Sequence, residues 1–214
     1  MKNIEGNDIL LKPASVEAGR KLPLIVFLHG AGGSAFDMET IVNPLVEAWQ
    51  YFIFLPTGTV IKDKHRDTKL PRDWDPFSDV TIVIRKIEKL VQQHEIDPSL
   101  IFLSGFSSGA TMSYLVGFER PDLFCGLIAF CGVLQRDLID PDKLCAAKSK
   151  LPVCIVHGWH DASVPLDRAN TAKNYLYAEG FKVKSFFFEG GHFFPSNWMD
   201  IFKDAIEWCH NNRI

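Results

Sequence analysis

Apolar residues fall along this chain in short unbroken runs that alternate with stretches of helical spacing. Leu22 to Leu28 reads LPLIVFL and stops at His29-Gly30, and such a run, bounded by turn residues, suits a strand buried on both faces. Tyr51 to Leu55, Ile101 to Phe106, Gly126 to Val133 and Pro152 to Val156 repeat the pattern, Val183 to Phe188 is read as the sixth strand, and Ile9-Leu10-Leu11 predicts a short leading strand. Between them, Phe36 to Trp49 reads as a helix despite Pro44. Val80, Val83, Ile84, Ile87 and Val91 put an apolar stripe on a helix over Phe77 to His94, with Ser78 or Asp79 as its cap. Ser108 to Arg120, Asp167 to Ala178 and Asn197 to His210 are the remaining predicted helices, the first closed by Pro121 and the second by Gly180. Residues 59–74 and 135–150 are polar and irregular. Strands alternating with helices imply an α/β architecture, a mostly parallel central sheet with helices on both faces. No repeat or linker divides the chain, so 1–214 is expected to form a single domain.

Charge and cysteine content narrow the surroundings. A formal net charge of -3 without a basic tract argues against nucleic acid or an anionic membrane as partner. The first residues lack the apolar core of a signal peptide, and no apolar run is long enough to span a bilayer. The 5 cysteines are scattered with no C-x-x-C pair, which predicts reduced, packed thiols and a cytoplasmic setting rather than a disulfide framework or zinc site. No metal or other cofactor is expected.

In parallel sheets the chemistry sits at the carboxyl ends of the strands, and the reactive residue types gather there. The third long strand runs into Gly105-Phe106-Ser107-Ser108-Gly109, the form of a sharp strand-to-helix turn that lifts a serine above the sheet. Beyond the fifth lies His157-Gly158-Trp159-His160-Asp161, and beyond the sixth Gly190-Gly191-His192. Ser107, Asp161 and His192 are therefore the expected nucleophile, orienting acid and general base. Asp137, Asp140 and Asp142 remain alternative acids. His29 and His157, each before a glycine at a strand end, are expected to support loops through backbone hydrogen bonds, and His157 with His160 lacks a third ligand at metal-binding spacing. An oxyanion needs backbone donors. Ser108 supplies one and the loop His29-Gly30-Ala31-Gly32-Gly33 the other, through Ala31 with Gly32 as the alternative. Phe36, Trp74, Phe77, Trp159, Phe193 and Phe194 neighbour these loops; Gly32, Phe36, Trp74, Trp159 and Phe193 are the expected substrate contacts, against the simpler reading that such aromatics are core.

Taken together, Leu28-His29-Gly30-Ala31-Gly32-Gly33, the G-F-S-S-G turn, His157-Gly158-Trp159-His160-Asp161-Ala162-Ser163-Val164-Pro165 and Gly191-His192 resemble an α/β-hydrolase, and within it the small phospholipase/carboxylesterase group that includes acyl-protein thioesterases. The resemblance covers nearly the whole chain in order. It implies an α/β-hydrolase fold without a large cap domain, and a serine hydrolase of carboxylesterase type acting on small or medium acyl or aryl esters. A thioesterase, a lysophospholipase or a non-catalytic ligand receptor on the same frame are the alternatives. The expected partner is a small ester or thioester, with no stable membrane insertion, and a homodimer stays open. The sequence departs from the group where L-G-D is usual and Ala31-Gly32-Gly33 stands, where W-[FY]-D is usual and Arg72-Asp73-Trp74-Asp75 stands, and at Cys131-Gly132, where Ser-Gly is common.

Overall fold

The computed structural model describes residues 1–17, 19–61 and 72–213. In chain order, β1 (Lys2–Glu5), β2 (Asp8–Leu11) and β3 (Leu22–Leu28) lead to helix α1 (Ala35–Trp49), then β4 (Phe52–Leu55). A small ribbon of β5 (Val60–Ile61) and β6 (Arg72–Asp73) precedes α2 (Asp79–Gln93). The chain continues through β7 (Ile96–Phe106), α3 (Ser108–Glu119), β8 (Gly126–Phe130), α4 (Pro141–Ala147), β9 (Val153–Gly158), α5 (Leu166–Ala178), β10 (Val183–Phe188) and α6 (Trp198–Asn212). Eight strands make one sheet in the order β1-β2-β4-β3-β7-β8-β9-β10. Only the β1–β2 and β2–β4 pairings are antiparallel.

Two apolar layers flank this sheet, and the strands feed them alternately, as a two-residue period requires. Leu24, Val26 and Leu28 of β3 join Ile101 and Leu103 of β7 in the layer beneath α2, α3, α4 and α5. Ile25 and Phe27 of β3 and Phe102 of β7 point the other way, onto α1 and α6. That double burial is why the predicted strands read as continuous apolar runs rather than as alternations.

The departures from the sequence reading have local causes. Strand β1 is exposed throughout, so no apolar pattern announced it. β7 begins five residues earlier than its apolar run, since Ile96 pairs with Leu22 across an irregular register. β8 stops at Phe130 because Cys131 takes a left-handed conformation (φ 52°). Inside the expected irregular stretch 135–150 lies α4, capped by the Asp140 carboxylate accepting from Asp142 N–H. Ser78 stands at the N-cap of α2 without a side-chain capping bond; Asp79 is buried and its Oδ2 accepts from the Thr59 and Asp75 amides, tying two loops together. Residues 62–71 of the long loop, His65 among them, lie outside the described residues.

At the carboxyl end of β3 the buried His29 ties three segments together. Its Nε2 accepts from Gly58 N–H at 3.0 Å, its Nδ1–H donates to Gly30 O at 2.8 Å, and its carbonyl accepts from Trp74 Nε1–H at 2.8 Å. The indole also stacks on the imidazole, ring centres 4.6 Å apart. Such a ring must be neutral, and burial lowers its pKa below that of an ordinary imidazole. In the unfolded chain the ring protonates near pH 6.5, in the folded chain only at lower pH. Stability from this group is therefore full above about pH 7 and is lost as pH falls through the folded value. The thermal midpoint should hold steady above about pH 7 and decline below it, with a shallower decline in His29→Gln; the residual slope includes His94, which burial also lowers. Equal slopes in the two proteins would refute the assignment.

Helix α3 meets the sheet at very short range. A Cβ on Gly109 would stand 2.3 Å from Leu28 O and 2.4 Å from His29 O, and one on Gly105 would stand 2.4 Å from Gly109 C. Gly109→Ala should therefore cost about 3 kcal/mol or more by urea denaturation. Gly180→Ala, at φ 92° but in open space, should cost about 1–2 kcal/mol.

Candidate active site

Ser107 occupies the turn between β7 and α3 with φ 56° and ψ -119°, a conformation that costs a non-glycine residue about 1–3 kcal/mol. The contacts around it hold it there. Ser107 N–H donates to Phe130 O at 2.8 Å, Thr111 N–H donates to Ser107 O at 3.0 Å, and Gly105 and Gly109 admit the helix against the strands. The side chain is thereby lifted off the sheet at the amino end of a helix whose dipole favours negative charge.

The loops after β9 and β10 are stitched together beside it. Trp159 N–H donates to Phe188 O at 2.9 Å and His160 N–H to Gly190 O at 2.8 Å, while Gly158 lies so near Gly190 and Gly191 that a Cβ there would stand 2.5 Å from either carbonyl oxygen. This brings Asp161 beside His192. His192 Nδ1 lies 2.7 Å from Asp161 Oδ2, and His192 Nε2 lies 2.9 Å from Ser107 Oγ. Phe106 packs on the imidazole, ring centres 4.9 Å apart.

Asp161 is buried, with its second oxygen accepting from the amides of Ser163 and Val164 at 2.9 and 2.8 Å. Burial works to raise its pKa. The Val164 amide, the His192 ring and the Ser163 amide outweigh that and hold the carboxyl below the usual value. His157 lies behind it, wholly buried, with Nε2 2.8 Å from Val164 O and 3.5 Å from Asp161 Oδ2. Cys131, His157 and Asp161 offer donor atoms within 4.8 Å of one another. His157 Nε2 and both Asp161 oxygens have hydrogen-bond partners, His157 Nδ1 has none among the described residues, and burial pushes the Cys131 thiol up to about 12.

The loop after β3 stands against the serine: a Cβ on Gly30 would lie 3.4 Å from Ser107 Cβ. Among the described residues, the amides of Ala31 and Ser108 carry no backbone acceptor, whereas Gly32 N–H is committed to Arg72 O at 2.8 Å. Ser108 Oγ is buried and has no hydrogen-bond partner.

A cleft of about 1120 Å³ opens beside Ser107 and Ser108, walled by the segment after β8 and by the start of α5. A second arm of about 350 Å³ shares Ser108, Thr111, Gln135 and Leu138 with it and runs to Trp74, Met112 and Leu115. Of the expected substrate contacts, Trp74 lines that arm. The structure puts the others elsewhere. Gly32 bonds to Arg72, Phe36 lies exposed under Lys2, Trp159 lies on Phe187, and Phe193 folds back onto Phe188 and Gly190. Phe77 is exposed, and Phe194 packs with Phe27, Phe106 and Phe130. Asp140 is the α4 cap, and Asp137 is on the cleft wall. The 133–138 wall went unread because only its position after a strand marked it.

A family model described as phospholipase/carboxylesterase matches residues 14–210. The putative esterase NocK of Nocardia uniformis subsp. tsuyamanensis is 29% identical over 154 residues, 70% of this chain, which spans only 43% of that protein's length. Acyl-protein thioesterase 1 of Saccharomyces cerevisiae is 26% identical over 186 residues, 77% of this chain and 81% of the yeast protein. Among solved structures, esterase PE8 superposes with a TM-score of 0.73 over 95% of this chain and 97% of its own at 24% identity, a likeness of fold. A match that runs from ahead of β3 into α6, on a sheet of this order, makes the chain a member of the phospholipase/carboxylesterase family of α/β-hydrolases.

Proposed function

We propose that the protein is a serine carboxylester hydrolase that cleaves small or medium acyl or aryl esters through an acyl-enzyme intermediate. The observation that carries this reading is the unbroken hydrogen-bond line from Ser107 Oγ through His192 to Asp161. With Nδ1–H donating to Asp161, His192 leaves Nε2 to accept the Ser107 hydroxyl proton. Ser107 Oγ attacks the ester carbonyl as that proton moves to Nε2, and the carbonyl oxygen becomes an oxyanion. The amides of Ala31 and Ser108 are the proposed donors to it, both lacking a backbone acceptor among the described residues. Collapse of the adduct breaks the bond to the alcohol, which leaves with the Nε2 proton. Water, deprotonated by the same nitrogen, then releases the acid and restores Ser107.

Asp161 stays ionised throughout, fixing the tautomer and balancing the imidazolium. The second arm of the cleft, with Trp74, Met112 and Leu115, offers apolar surface for an acyl or aryl group. A thioester substrate is the second reading, favoured by the similarity to the yeast acyl-protein thioesterase over most of both chains. Placement in the cytoplasm is supported by five free cysteines, four of them buried. No helix among the described residues is long and apolar enough to cross a membrane.

Ser107→Ala should abolish both turnover of short p-nitrophenyl esters and labelling by a fluorophosphonate probe, with an unchanged circular dichroism spectrum. Asp161→Asn should lower kcat by about 10⁴ because the imidazole loses its favoured tautomer. Turnover in Ser107→Ala near that of the parent protein would overturn the proposal, and a parent protein that never reacts with the probe would point to a ligand receptor instead.

A further inference from the structure

The geometry points to a carboxylate-binding subsite on the wall of the Ser107 cleft, formed by Arg136 and Arg168, so that the preferred substrates are esters that themselves carry a carboxylate. The inference rests on the hydrolase reading and narrows its substrate class.

The two guanidinium-bearing residues approach the cleft from different elements. Arg136 belongs to the short 3-10 turn after β8, and Arg168 to the first turn of α5. Ion pairs among the described residues engage Arg120, with Glu88 and Asp122, and neither Arg136 nor Arg168. Arg136 is nonetheless held: its Cζ lies 4.1 Å from the centre of the Tyr175 ring. Stacking takes up one face of a guanidinium and leaves its N–H edge free, and that edge is the part that grips a carboxylate in a two-pronged fashion. Asp137 shares the wall, so the cleft sets one acid against two cations and keeps a net positive balance, in a chain whose overall charge is -3.

The remaining lining fits a ligand with both apolar and polar parts. Leu134 and Val164 add apolar surface to the same cleft, and Thr171 adds a hydroxyl. A simple fatty ester would use the apolar surface and leave both guanidiniums to water. A half-ester of a dicarboxylic acid, or an ester of a hydroxy acid, would use all of it.

Two matched pairs separate the acid side from the alcohol side: monoethyl adipate against ethyl hexanoate, and 4-carboxyphenyl butyrate against phenyl butyrate. At low salt the intact protein should prefer the charged member of at least one pair by about tenfold or more in kcat/KM. Raising salt to about 0.5 M should erode that ratio, because exposed charges are screened, and this arm needs no variant. In Arg136→Gln/Arg168→Gln the ratio should fall to about one. Equal use of both members of both pairs, with the neutral esters turned over, would overturn the subsite and leave the hydrolase standing. A preference that persists in the double variant would overturn the assignment to these arginines. Failure of every ester together with failure to react with a fluorophosphonate would overturn the hydrolase reading and this inference with it.

Discussion

Everything at the top of this sheet depends on how closely the first turn of α3 can press against the end of β3. Gly109 rests on the Leu28 and His29 carbonyls at a distance no side chain would allow, and Gly105 gives way to Gly109 in turn. That contact fixes where Ser107 points, and it sets the serine beside the loop whose Ala31 amide has no backbone acceptor among the described residues. The unfavourable backbone angles at Ser107 persist because strand, helix and the Phe130 carbonyl all constrain it at once. Strain of this kind survives only in a rigid frame, and the two apolar layers around β3 and β7 supply one.

On the other side, precision comes from hydrogen bonds rather than from close packing. Asp161 is surrounded by donors, with two amides on one oxygen and the His192 ring on the other, while His157 anchors the carbonyl of Val164 behind it. Each of these bonds lies in a site largely shut off from water, where an unmade bond is expensive, so the loop from Gly158 to Pro165 has little freedom to choose another shape.

Much of this was legible in the sequence, and the boundary between what could and could not be read is physical. Strands buried on both faces leave apolar runs, so β3 was readable to the residue, while the exposed β1 left no trace. That Ser107, Asp161 and His192 would meet was readable because a sharp turn needs glycines and because the carboxyl ends of parallel strands converge. The cleft was not. Phe193 follows His192 directly, yet the tight turn from Gly191 swings its ring back over Gly190, and Trp159 goes to Phe187. Adjacency in sequence brings a residue near a strand end, but the turn geometry decides which way its side chain faces. Arg136 and Leu134 sit in a polar stretch whose only signal was its place after β8.

The line from Ser107 to His192 joins residues 85 positions apart, carried on strands β7 and β10 with β8 and β9 between them. During synthesis the chain emerges from its amino end, so β3, β7 and α3 can assemble while the histidine has yet to appear. Until then Ser107 is an alcohol on a bent turn without the imidazole that is its partner in the folded chain. On the proposed mechanism, reactivity is thus withheld until the last strand has docked and its loop has been stitched to that of β9, so a half-made molecule exposes its neighbours to no activated nucleophile.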